Sequence, residues 1–73
     1  MAQAERLRGS VKTIHRAKGF AFIRGDDRKD YFAYYQSFKS DDWEVLRDGM
    51  RVTFVAGEGA KGPRAENIAV IHE

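Results

Sequence analysis

The stretch KGFAFIRGDDRKDYFAYY, residues 18–35, decides how this chain is read. Six of its eighteen residues are aromatic, and they flank a turn of alternating charge. GDDRKD has turn composition, so 20–24 and 30–34 read as two consecutive strands. Side chains alternate faces along a strand. Phe20, Phe22 and Arg24 therefore share one face, and Ala21 and Ile23 the other. On the next strand Phe32 and Tyr34 oppose Tyr31 and Ala33. Phe20 and Phe22 travel with Arg24 and Lys18, whereas Ala21 and Ile23 carry no charge with them. A narrow barrel is also filled more easily by small and aliphatic residues than by stacked Phe. Ala21, Ile23 and Ala33 are thus assigned inward, with Val11, Val52, Phe54, Ile68 and Val70. Phe20, Phe22, Phe32 and Tyr34 are left outside. Tyr31 falls inside, where its hydroxyl needs a partner.

Outward from this pair of strands the punctuation is frequent: Gly19, Gly25, Gly49, Gly57, Gly59, Gly62 and Pro63. The segments between predict five strands, near 8–15, 20–24, 30–34, 50–55 and 65–71. Residues 1–7 read as a frayed lead-in, and 8–73 as one domain. QSFKSDDWEVLRDG, 36–49, is the one long connection, with room for a helical turn. GEGAKGP joins the last two strands. No segment sustains a helical period over twelve residues. Short strands with Gly-rich turns in 73 residues predict an all-β, five-stranded antiparallel barrel, because closure removes exposed edges.

Hydrophobic content of 42% and charged content of 33% fit a soluble globular domain. The absence of cysteine excludes disulfides and Cys-based zinc sites and fits a reducing compartment. No apolar run reaches membrane-span length, and no signal-peptide core is visible, so a cytoplasmic protein without a membrane partner is expected. The net charge of +2 is unevenly spread. Residues 5–24 hold six bases and one acid, and 25–48 hold four bases and seven acids. The basic first third favours an anionic partner, although a solvated charged face has the same composition.

Rings beside Lys and Arg form a stacking platform: flat π-faces accept unpaired bases, and cations hold phosphates. Without a motif, ordinary core packing of these Phe remains an open alternative. The motif is KGFAFI, 18–23, which matches the start of the RNP1 signature K/R-G-F/Y-G/A-F-V with Ile for Val. An RNA-recognition motif would place its other aromatic strand first and would need two long helices. Order and length instead resemble the bacterial cold shock domain, a five-stranded OB-type barrel. GSVKTIHRAKGFAFI resembles that family's G-x-V-K-W-F-N opening and its K-G-[FY]-G-F-I. KDYFAYY resembles D-[VI]-F-V-H-[FY]. LRDGMRVTFVAGEGAKGPRAENI resembles L-x-x-G-x-x-V-x-F followed by G-x-K-G-P-x-A-x-N-V.

The resemblance implies an OB-fold that binds single-stranded RNA and DNA with little sequence selectivity, as an RNA chaperone or regulator of transcription or translation. It implies a monomer with no enzymatic activity and no cofactor. Carried over by position, the implied stackers are Phe20, Phe22, Phe32, Tyr34, Tyr35 and Trp43. Implied backbone contacts are Lys12, Lys18 and Lys61, with Arg64 nearby. Thr13 stands where the family usually has a stacking Trp, and Tyr34 where it has His. The missing Trp predicts weaker binding at one end of the platform.

Other constellations carry less. His15 and His72 lie at opposite ends of the chain with no second ligand at metal spacing, so no metal site is expected. His15 reads equally as a phosphate contact or a bystander. Asp26, Asp27 and Asp30 alternate with Arg28 and Lys29 and read as solvated turn charges. No nucleophile triad, P-loop or dinucleotide fingerprint is present. Trp43 reads equally as stacker or peripheral core, and Phe38 as packing beneath the long connection. A protein-interaction barrel with reduced nucleic-acid binding is the alternative function.

Overall fold

The computed structural model describes residues 6–60 and 62–71. Five strands, β1 (Arg6–His15), β2 (Phe20–Gly25), β3 (Asp30–Tyr34), β4 (Arg51–Gly59) and β5 (Gly62–Val70), close into a barrel in the order β1-β2-β3-β5-β4. Pairing is antiparallel except at the closing contact, where Phe32 of β3 meets Arg64 of β5 in parallel. The expected five-stranded barrel is present, with its one parallel strand pairing at the contact that closes it. β3 and β5 are joined through the long connection and β4, so their directions are not constrained by a hairpin.

Strand limits also differ from the sequence reading. β1 begins at Arg6, inside the expected lead-in, because Arg6 and Leu7 pair with Val55 and Phe54. The β4–β5 ladder runs out to Gly59↔Gly62, so most of the stretch read as a loop is paired strand. The long connection holds a 3-10 turn, Tyr35–Ser37, and one short helix, α1 (Ser40–Val45).

β1 serves two neighbours and must bend to do so. Gly9 pairs with both Gly25 of β2 and Val52 of β4. A Cβ at Gly9 would lie 2.7 Å from the Arg24 carbonyl oxygen and 2.9 Å from Ile23 Cγ2, so only glycine fits this approach. Two residues later a bulge intervenes: Val11 faces Ile23, but Thr13, not Lys12, faces Phe22. The extra residue shifts the alternation, turning Thr13 and His15 outward and Ile14 inward.

The core holds Val11, Ala21, Ile23, Tyr31, Ala33, Phe38, Leu46, Val52, Phe54, Ala65, Ile68 and Val70. Every residue assigned inward from alternation is there, and Phe38, Leu46 and Ala65 join them. No charged side chain is buried among the described residues. Tyr31 packs its ring against Phe54 at 4.8 Å and donates its hydroxyl to Asp27 Oδ2 at 2.6 Å. The partner that a buried phenol requires comes from the turn beside it.

Candidate nucleic-acid interface

Strand register builds the outer face of β2 and β3. Phe20 sits opposite Tyr34, Phe22 opposite Phe32, and Arg24 opposite Asp30. On the β1 side His15 faces Phe20 and Thr13 faces Phe22. Cross-strand neighbours on one face lie within side-chain reach, so the rings form one sheet of contacts. Phe20 stacks on Phe32 at 4.9 Å and 22°. Phe22 meets both edge-on, at 5.8 Å from Phe20 and 5.4 Å from Phe32. Tyr34 meets Phe32 at 4.6 Å, and the His15 imidazole lies 4.7 Å from Phe20.

Exposure within this cluster is graded. Tyr34 is 36% exposed, Phe20 and Phe22 are half-buried, and Phe32 retains only 8%. Phe32 is thus buried, which corrects its expected exposure, although it lies outside the contiguous core cluster. Its neighbours Phe20, Phe22, Tyr34 and Arg64 cover it from outside, so it is the hub of the cluster rather than an open stacking face.

One end of the face is charged. Asp30 accepts from Arg24 Nε at 2.7 Å and from Lys12 Nζ at 3.0 Å. The hydrogen bond from Arg24, then that from Lys12, holds its carboxyl below the usual aspartate value. Two cations thus share one carboxylate, leaving one net positive charge at this rim. Beside them, Lys12, Thr13, His15, Phe22 and Asp30 line a depression of about 260 Å³. The small side chain of Thr13 leaves this space open.

The other end passes through Gly19 to a second group of rings. Gly19 adopts φ +76, and a Cβ there would lie 3.0 Å from the Tyr35 ring. Tyr35 lies 6.2 Å from Trp43, and Trp43 lies 5.5 Å from Phe38. Trp43 is half-buried and packs against the core, the peripheral-core alternative of the sequence reading, while part of its ring stays accessible. It is held by Arg16, whose guanidinium lies 5.8 Å from the ring centroid. The same group donates to the carbonyls of Trp43 at 2.7 Å and Leu46 at 2.5 Å. These acceptors lie at and just beyond the C-terminal end of α1, where carbonyls run short of helical partners; the Trp43 carbonyl also accepts the Leu46 amide at 3.3 Å.

The remaining cations are distributed around the rings. Lys18 is exposed in the 3-10 turn between β1 and β2. Arg64 lies over Tyr34, its guanidinium carbon 4.9 Å from the ring centroid. Lys61 falls outside the described residues. The structure therefore gathers Lys12, Phe20, Phe22, Phe32, Tyr34 and Arg64 on one face and sets Lys18, Tyr35 and Trp43 at its end. It adds two residues that sequence reasoning did not assign. His15 joins the rings because the β1 bulge changes its side. Arg16 fixes α1 through a tertiary contact that leaves no local pattern. Among the described residues no group of His, Cys, Asp or Glu is placed to hold a metal, and no helix is long and apolar enough to cross a membrane.

A family model described as the 'Cold-shock' DNA-binding domain matches residues 7–71. Curated relatives match along nearly their whole length. Cold shock protein CspV of Vibrio cholerae is 36% identical over 67 residues, 90% of this chain and 96% of the relative. Cold shock protein CapB of Pseudomonas syringae pv. tomato is 37% identical over 68 residues, 93% and 99% respectively. Cold shock-like protein CspE of Escherichia coli is 36% identical over 67 residues, 90% and 97%.

Proposed function

The chain belongs to the cold-shock DNA-binding domain family, a family of non-enzymatic nucleic-acid-binding proteins, and from that premise we propose that it binds single-stranded RNA and DNA by stacking unpaired bases on the outer face of β2 and β3. One observation carries this reading: an outward-facing, continuous ring cluster with cations beside its rings. A contiguous aromatic face on a small barrel calls for a ligand. Bases supply flat partners, and each stacked base contributes roughly 1–3 kcal/mol.

Phe20 and Phe22 offer the open ring surface, with His15 extending it and Phe32 holding the rings together. Tyr35 and Trp43 continue the track beyond Gly19. Lys12, Lys18, Lys61 and Arg64 supply positive charge for the strand's phosphates and base edges. A bound base cannot pair, so the protein keeps strands single without chemistry or nucleotide hydrolysis. That is the action of an RNA chaperone, or of a regulator of transcription or translation, working as a cytoplasmic monomer. Stacking ignores the sugar, so DNA binds as well, over a footprint of roughly 5–7 nucleotides.

The test is a titration with a uridine heptamer at low and high salt, followed by Trp43 fluorescence and by anisotropy of the labelled oligonucleotide. Saturable quenching that weakens with salt is expected. No change in either signal at low salt would overturn the reading and favour a protein partner for the same face.

A further inference from the structure

Arg64 departs from the behaviour of a phosphate-binding cation. It is half-buried and in register with Phe32, at the level of the rings rather than out at the margin. Its guanidinium lies over Tyr34, and its Nε is buried without a hydrogen-bond partner. Among the described residues no group accepts a hydrogen bond from it. A buried donor left unpaired is costly, and the cost is relieved by a ligand that brings an acceptor. Arg64 also lines a pocket of about 140 Å³ with Phe32, Tyr34, Gly59, Ala60 and Gly62. The pocket adjoins the ring cluster, so a base drawn along the rings can bring its edge there.

Resting on the proposed single-strand binding, we infer that Arg64 reads a guanine at one position of the bound strand, through the O6/N7 edge. The chemistry selects this base. Arginine carries donors only, in a planar fork that matches two adjacent acceptors. Guanine presents O6 and N7 together, whereas adenine sets a donor beside N7 and uracil offers isolated carbonyls. Cytosine pairs O2 with N3, but its single ring gives the aromatic cluster less surface to hold. A phosphate would also accept from Arg64, yet phosphates stay in water while the Nε lies beneath the surface beside a ring. The contact adds selectivity at one step of a strand otherwise held without regard to sequence.

The experiment uses uridine heptamers carrying one guanosine, moved through the seven positions, against the all-uridine strand. One position should gain roughly five- to tenfold in affinity, as a bidentate arginine–guanine contact provides. Replacing that guanosine by 7-deazaguanosine, which lacks the N7 acceptor, should remove most of the gain. Arg64→Lys keeps the charge but loses the fork, so the guanosine-to-uridine ratio should fall near one, whatever the absolute affinity. No position-specific gain, a gain that survives Arg64→Lys, or an equal gain with cytidine overturns the inference while single-strand binding stands. Failure of the all-uridine and all the guanosine strands to bind overturns both.

Discussion

The Tyr31 hydroxyl donates to Asp27 Oδ2 at 2.6 Å, joining a ring in the barrel core to the turn between β2 and β3. The bond favours the protonated phenol and the ionised carboxylate together. Through it, and through burial, the phenol is pushed up to about 12. Asp27 is drawn below the usual carboxylate value, first by the same bond and then by the Lys29 amide.

The pH dependence of stability follows at both ends. The phenol's contribution is complete below about pH 10, the ordinary tyrosine value, and is lost as pH rises through about 12. The carboxylate's contribution is present above about pH 4 and is lost as pH falls through its depressed folded value. Thermal melts across pH should therefore decline on both limbs. Tyr31→Phe should lower the plateau and flatten the alkaline limb between about pH 10 and 12. An unchanged alkaline limb in that variant would assign the loss elsewhere.

Phe20→Ala and Phe22→Ala should each weaken binding of a uridine heptamer by roughly 1–3 kcal/mol while the barrel stays folded, because both rings lie outside the core. Phe32→Ala should behave differently. Its ring is the hub on which the others rest, so its loss should lower the melting temperature as well as affinity. Circular dichroism melts beside anisotropy titrations separate these outcomes.

Thr13→Trp should tighten binding. Thr13 faces Phe22 and opens onto the depression shared by Lys12, His15 and Asp30. An indole there would extend the ring face toward the charged end and add a gain of roughly 1–3 kcal/mol for one more stacked base. Equal affinity of the variant and the parent for the heptamer would show that the strand does not reach this end.

Arg16→Ala should loosen α1 without unfolding the barrel. Its guanidinium holds the carbonyls of Trp43 and Leu46, and charge-assisted bonds of this type contribute about 1.5–3 kcal/mol each when well buried. Arg16 is exposed, so a loss near 1 kcal/mol is expected. The sharper readout is Trp43 itself, whose emission should shift and whose anisotropy should fall. Arg16→Lys should restore little, since one ammonium cannot span both carbonyls as the fork does.

Salt should weaken binding in proportion to the phosphates neutralised. If Lys12, Lys18, Lys61 and Arg64 each met one, log affinity would fall with log salt at a slope of about −3 on a single strand. Lys12 already shares Asp30 with Arg24, and Arg64 is assigned to a base edge. The slope should therefore be shallower, nearer −2. Asp30→Asn, which releases Lys12 and Arg24, should steepen it.

Alternation, turn composition and the order of motifs were enough to determine the barrel and the sidedness of its central strands. Phe20 and Phe22 travel with charge, Ala21 and Ile23 do not, and period-two geometry does the rest. Those signals are local, so they are written in consecutive residues. What tertiary structure decided is how the outward rings cover one another. It makes Phe32 a nearly buried hub, turns His15 to the ring side through a bulge, and seats Arg64 on Tyr34. Arg16 reaches Trp43 across 27 positions of sequence. Such relations depend on the register between strands distant in the chain, and no periodicity within a single strand encodes them.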